Sequence, residues 1–171
     1  CAYLRGGAEL SGFTLTNGIG YGSSSQNFYA GGVYLDHATL SNCIVTGCDA
    51  GNGAYISGVG GVGGRGGGIY AYKSCITDSE IMGNNAFYGG GIYMGFNNLV
   101  RRCEIRGNTC LAPAAQYGGL YDGSYWWTYS NAVADCLIAE NRANQWGGGV
   151  SVGSGSLLLN CTVVSNSAGS A

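Results

Sequence analysis

The stretch Cys161-Thr162-Val163-Val164-Ser165-Asn166-Ser167-Ala168 reads Cys-x-aliphatic-x-x-Asn-x-Ala, and the chain repeats that pattern six times with variations. With the Cys as position zero, the column runs Phe13, Cys43, Ser79, Cys103, Cys136, Cys161, at intervals of 30, 36, 24, 33 and 25 residues. Two positions later stand Leu15, Val45, Ile81, Ile105, Ile138 and Val163. Three positions earlier stand Leu10, Leu40, Ile76, Val100, Val133 and Leu158. Position +5 holds Gly18, Cys48, Asn84, Asn108, Asn141 and Asn166, and position +7 holds Gly20, Ala50, Ala86, Cys110, Ala143 and Ala168. A second phrase, Gly-aliphatic-Tyr, recurs at Gly32-Val33-Tyr34, Gly68-Ile69-Tyr70, Gly91-Ile92-Tyr93 and Gly119-Leu120-Tyr121, and degenerates at Gly149-Val150-Ser151. Self-similarity at this spacing is the mark of a repeat architecture.

The columns decide which one. Zero and +2 share a face of an extended strand, because strand side chains alternate. Position −3 has the wrong parity for that strand, so a bend separates it from zero. A chain that keeps bending while aiming aliphatics inward is a coil around a narrow core. Helical repeats are excluded by the abundance of Gly and β-branched residues and by the lack of a 3.6-residue period. The reading is an all-β solenoid, a parallel β-helix of about six coils with loop insertions at turns. Stacked at about 4.8 Å, the strand spacing of a sheet, like residues form ladders from coil to coil. Asn at +5 is expected in a left-handed turn with its amides stacked, and Gly18 fits the same need for positive φ. The glycines before Val33, Ile69, Ile92, Leu120 and Val150 mark another tight corner. No coil buries its apolar face alone, so neighbours share stability.

Composition agrees. Charged residues are 9% of the 171, against about 25% in an average protein, and 34 residues are Gly. At 46% hydrophobic, the chain has enough apolar surface to fold. Net charge is −2 and the seven Lys and Arg are scattered, which argues against nucleic acid as a partner. No apolar run reaches the roughly 18 residues of a membrane span, so no membrane insertion is expected.

The phrases Leu40-Ser41-Asn42-Cys43, Asn160-Cys161-Thr162-Val163-Val164-Ser165-Asn166 and Gly89-Gly90-Gly91-Ile92-Tyr93 resemble the repeats of polymorphic-outer-membrane-protein-like bacterial surface proteins. Those belong to the right-handed parallel β-helix, or pectate-lyase-like, superfamily. The resemblance covers nearly the whole chain and implies a right-handed coil, in line with the usual hand of parallel crossovers. It also implies an extracellular or bacterial cell-surface location. A single domain is expected over 1–171, with coils at 1–31, 32–67, 68–90, 91–118, 119–148 and 149–171, either complete or a segment of a longer solenoid.

Insertions fall at 19–30, 51–66, 111–117 and 122–131, and solenoid loops are where binding gathers. The last contains Tyr125, Trp126, Trp127 and Tyr129. Two adjacent Trp suggest a glycan-binding patch, or a loop folded back over its own coil. Tyr3, Tyr34, Tyr70, Tyr93 and Tyr121 each follow an inward aliphatic and are expected as an outward ladder, structural first and a contact strip second.

Cys43, Cys103, Cys110, Cys136 and Cys161 fall on inward positions and read as small buried hydrophobes. Their spacing matches no zinc motif. Cys1, Cys48 and Cys75 read as lying off the core, with Cys48–Cys75 a candidate bridge. Asp78, Arg102 and Asp135 share one column, an alternating charge ladder that holds register. Glu80 and Glu104 share another, with Arg106 placed to neutralise Glu104. His37 has no nucleophile beside it. No catalytic residue, metal ligand or cofactor is assigned. Gly58-Val59-Gly60-Gly61-Val62-Gly63 fits GxGxxG but lacks a following helix.

The ends carry the functional expectation. Cys1-Ala2-Tyr3-Leu4 matches the corner at Gly32-Val33-Tyr34-Leu35, and the chain closes at Asn166, Ala168 and Ala171 just before such a corner. Joining two copies gives 23 residues from Cys161 to Phe13, close to the short internal coils of 24 and 25. The expected function is a structural fibre or stalk subunit stacking head to tail with itself, or continuing into a longer parent chain. The alternative is an adhesin or carbohydrate-binding module, and a polysaccharide lyase or hydrolase comes third.

Overall fold

A computed structural model describes residues 2–20, 29–51, 55–56, 60–61, 63–112, 115–124 and 130–169. Within them the chain winds through four parallel sheets and forms no helix. Sheet A holds Ala2–Arg5, Val33–Asp36, Ile69–Tyr72, Ile92–Met94 and Leu120–Asp122. Sheet B holds six strands from Glu9–Ser11 to Leu157–Leu159, and sheet C six from Thr14–Thr16 to Thr162–Val164. Sheet D is shorter, with Thr109–Cys110, Arg142–Ala143 and Ser167–Ala168. Each strand pairs with its equivalent one coil away, which is a parallel β-helix. The second insertion adds a small antiparallel pair, Tyr55–Ile56 with Gly60–Gly61.

The repeat columns are the ladders. Position −3 stacks in sheet B as Leu10, Leu40, Ile76, Val100, Val133 and Leu158. Position +2 stacks in sheet C as Leu15, Val45, Ile81, Ile105, Ile138 and Val163. Sheet A contributes Val33, Leu35, Ile69, Ile92, Met94 and Leu120 to the same core. Each such fully buried side chain contributes about 1.5–3 kcal/mol. A satellite core of Phe87, Cys110, Ala115 and Ala143 lies beside sheet D.

Three corners per coil follow one rule. A residue in the left-handed region makes the bend, and the next residue points inward. Asn42, Asp78, Arg102, Asp135 and Asn160 make the bend between sheets B and C, with φ from 49° to 55°. Asn17, Gly47, Gly83, Gly107, Glu140 and Ser165 make the bend after sheet C. Asn84, Asn108, Asn141 and Asn166 are therefore not the left-handed residues, contrary to expectation, and neither is Gly18. They sit one residue on, and their amides solve a different problem. The corner breaks the sheet ladder, leaving an inward N–H without a carbonyl opposite. The Asn Oδ1 of each coil accepts that N–H from the coil before: Cys48 to Asn84 at 2.9 Å, Asn84 to Asn108 at 3.0 Å, Asn108 to Asn141 at 2.9 Å. The amides also stack, Nδ2 to Oδ1, at 2.9–3.0 Å.

The other corners use the same device. Ser79 Oγ takes the Cys43 N–H at 3.1 Å, and Cys136 Sγ takes that of Cys103 at 3.4 Å. Asn98 and Asn131 serve the corner between sheets A and B, accepting from Ser74 and Asn98 at 3.0 and 2.8 Å. Cys48 occupies the Asn column and is 1% exposed, so it belongs to the core after all. Cys75 lies on the outer side of sheet B, and both thiols are free. The proposed Cys48–Cys75 bridge fails because the two residues face opposite sides of the wall.

The paired glycines mark a place where coils touch backbone to backbone. A Cβ on Gly90 would lie 2.4 Å from the Thr109 carbonyl and 2.6 Å from that of Gly118. The outer charges also link coils. Arg102 grips Asp78 with two hydrogen bonds, 2.6 and 2.7 Å. Asp135 keeps its place in the column but pairs with Arg101, at 2.9 Å, because Asp78 already occupies both prongs of Arg102. Arg106 reaches Glu104 at 2.7 Å, as its spacing suggested.

Candidate binding site

The tyrosine ladder stands on the outer face of sheet A, with Tyr3, Tyr34, Tyr70, Tyr93 and Tyr121 in register. Tyr34 and Tyr70 stack at 4.9 Å between centroids, and Tyr70 and Tyr93 at 5.2 Å. Their faces are turned to one another along the stack and so are not presented to a ligand. Burial raises the pKa values of Tyr70 and Tyr93. The ladder is cladding over most of its length.

A second column runs beside it. Four residues before Val33, Ile69, Ile92, Leu120 and Val150 come Tyr29, Arg65, Tyr88, Gln116 and Trp146. The first four are bridged coil to coil. Their side chains lean on the ladder. Tyr29 packs edge-on to Tyr70 at 4.7 Å, and Tyr88 stacks on Tyr121 at 5.8 Å. At Gln116 the aromatic filling stops, and Ser151 ends the tyrosine ladder in the next coil. A recess of about 420 Å³ opens there, lined by Arg65, Tyr93, Gln116, Tyr117, Tyr121, Gly123 and Trp146. A smaller one of about 220 Å³ adjoins it and reaches Tyr88.

Arg65 dominates this recess. Its guanidinium carbon lies 5.3 Å from the Tyr93 ring centre and 5.7 Å from that of Tyr29. Its Nε is buried and, among the described residues, has no hydrogen-bond partner. Its charge acts against the burial that raises Tyr88 and Tyr93. Cation–π contact offsets part of the cost of holding it there, about 0.5–2 kcal/mol. Trp146 is 55% exposed at the rim. Tyr117 holds φ +60°, where three other coils have Gly66, Gly89 and Gly147, and its ring stacks on Tyr121 at 4.6 Å.

Asp122 ties Ser124, Asn131 and Gly153 together from inside the coil. It is fully buried and accepts from Ser124 N at 3.0 Å, Asn131 Nδ2 at 2.8 Å and Gly153 N at 2.9 Å. Burial raises its pKa, but hydrogen bonds from Ser124, Ser156 and Gly153 outweigh that and hold it below the usual carboxylate value. Gly123, the next residue, lies so close to Tyr93 that an added Cβ would stand 2.3 Å from the tyrosine hydroxyl.

The loop singled out from sequence, Tyr125, Trp126, Trp127 and Tyr129, lies outside the described residues, as do Cys1 and Ala171. Ala2, Tyr3 and Leu4 pair with Val33, Tyr34 and Leu35, which places them as the first strand of sheet A. Asn166 caps the Asn ladder, and Ala168 closes sheet D. A wider groove of about 680 Å³ crosses the corner of sheets A and B near His37, Lys73 and Cys75. Three of its polar groups are already engaged: His37 Nδ1 with Asp36 at 2.6 Å, and Asn98 and Asn131 within the corner ladder. Among the described residues no group of His, Cys, Asp and Glu is arranged to hold a metal ion.

Sequence reasoning passed over Arg65, Gln116 and Trp146, although their common offset from the inward aliphatics was there to be read. Searches of the curated proteins and of the solved structures returned no match. The family model of the right-handed β-helix region matches residues 3–171. With the coil geometry above, this chain belongs to the right-handed β-helix family.

Proposed function

We propose that the chain is a structural module of an extracellular or bacterial cell-surface protein, a coil stack that carries on by adding further coils. One observation carries this reading. Leu158 and Val163 are 38% and 46% exposed on the last coil, while Val133 and Ile138, their register partners one coil back, are buried. A second copy stacked head to tail would cover such a face. The surface location rests on the resemblance of the repeats to bacterial surface proteins. The family contains enzymes as well as non-enzymes; of the acids singled out in the sequence, Asp78, Glu104 and Asp135 stand in ion pairs.

The test is negative-stain electron microscopy and sizing of the purified chain over a range of concentrations. Filaments one β-helix wide, lost in Leu158→Asp, are the expected result. Discrete monomers at every concentration would remove self-stacking. The second reading, a glycan-binding module, is favoured by the recess around Arg65, Gln116 and Trp146.

A further inference from the structure

We propose that the recess beside sheet A binds an acidic saccharide, a sugar ring carrying one carboxylate or sulfate, with the acid group on Arg65 and the ring against Trp146. This rests on the glycan-binding reading and names its ligand class.

Arg65 is the argument. Of the chain's cations, Arg101, Arg102 and Arg106 are paired with carboxylates, and Arg5, Lys73 and Arg142 stand in solvent. Arg65 is partly buried, and among the described residues it makes no ion pair and its Nε has no partner. Among the described residues no Asp or Glu lines the recess. A buried donor left open calls for an explanation, and an ion held at the guanidinium is one of those known. The planar guanidinium matches a carboxylate or sulfate with two parallel hydrogen bonds. One cation suits one negative charge, which disfavours ligands with several phosphates.

The other walls point to a sugar. Trp146 offers an exposed ring. Gln116 both donates and accepts, as hydroxyl groups require. The recess of about 420 Å³ lies within the usual range of small-ligand sites, roughly 300–1,000 Å³. The position is also where a β-helix has room: two columns that pack against each other elsewhere separate here, because Gln116 and Ser151 replace aromatics.

The probes are sodium glucuronate, glucose and sodium sulfate, measured by calorimetry and by the shift in melting temperature. Glucuronate is expected to bind and to raise the melting temperature with concentration, with glucose and sulfate each at least about tenfold weaker. Arg65→Met should weaken glucuronate by about tenfold or more, a loss on the scale of one charged hydrogen bond. It should melt no lower than the wild type, because it removes an open donor from a partly buried site. Arg65→Lys keeps the charge without the fork, and should fold normally while binding more weakly. Trp146→Ala should weaken glucuronate severalfold.

Equal binding of glucose and glucuronate would overturn the acidic ligand and leave the glycan reading standing. Binding of neither would remove both. Sulfate binding as tightly as glucuronate would overturn the sugar. Unchanged binding in Arg65→Met and Arg65→Lys would overturn the role of Arg65, as would a lowered melting temperature in Arg65→Met without ligand, which would make Arg65 a structural residue.

Discussion

Replacing Asn108 with Ala tests the corner rule at its most loaded point. Asn108 is fully buried. Its Oδ1 accepts from the N–H and the Nδ2 of Asn84, both at 3.0 Å. Its Nδ2 donates to the Ile81 carbonyl at 2.9 Å and to Asn141 Oδ1 at 3.0 Å. Truncation takes away the recorded acceptor of the Asn84 N–H, a loss of about 1–3 kcal/mol for a buried donor. The other three groups lose one bond each, at about 0.5–1 kcal/mol apiece, so the whole comes to about 2.5–6 kcal/mol. The damage is also directional. Asn108 serves the coil before it, so the junction between the third and fourth coils weakens while the one after keeps its Asn108 N–H to Asn141 contact. Because stability in a solenoid is summed over neighbouring units, urea unfolding followed by circular dichroism should shift to lower midpoint and broaden. Asn166→Ala is the control, since Asn166 is only partly buried and water replaces its contacts at about 1–2 kcal/mol. A loss of under about 1 kcal/mol in Asn108→Ala, or one equal to that of Asn166→Ala, would refute the reasoning.

Further outcomes follow from other residues. Gly90→Ala should be far more damaging than Gly155→Ala. The first drives a Cβ to 2.4 Å from a carbonyl of the next coil, while the second meets nothing within 4 Å and only suffers its φ of +78°. Thermal melts of the two variants check this, and equal melting temperatures would contradict it. Asp122 has a folded pKa below its unfolded value of about 3.9, so its contribution is present above that value and is lost as pH falls through the folded pKa. Asp122→Asn should therefore lower stability by about 2–4 kcal/mol at pH 7 and by less near pH 3, as measured by urea midpoints across pH. Cys110, which burial pushes up to about 12, should resist alkylation at pH 8 until the chain unfolds, whereas Cys75 reacts in the native state; peptide mass mapping reads both.

Much of the fold was legible because a coil is specified locally. The inward aliphatics at −3 and +2 had to alternate with polar residues, and their common offsets survive insertions of any length. The tyrosine ladder was legible for the same reason, since each Tyr follows an inward residue. The conformation of the Asn column was not. Asn is common both in left-handed turns and as a buried hydrogen-bonding residue, and only the backbone distinguishes Asn17, which bends, from Asn84, which caps. Cys48 was misplaced because its column was read as a turn rather than as an inward corner. The recess was missed because attention went to composition, to the adjacent Trp126 and Trp127, instead of to offset. Arg65 ends a glycine-rich insertion and Trp146 precedes a degenerate phrase, so neither looks like a repeat residue until Tyr29, Tyr88 and Gln116 are aligned with them.

The whole account depends on equivalent residues stacking one coil apart, and a proximity crosslink measures that directly. Cys75 lies on the outer side of sheet B, in register with Leu99, which is in turn in register with Ala132. Leu99→Cys should place two thiols one strand spacing apart, about 4.8 Å, and Ala132→Cys about twice that distance from Cys75. A bifunctional thiol reagent spanning about 5 Å, one strand spacing, should join Leu99→Cys to Cys75 in the native protein and leave Ala132→Cys unjoined. Crosslinking of Ala132→Cys to Cys75 in preference to Leu99→Cys would mean that the coils are out of the register described here.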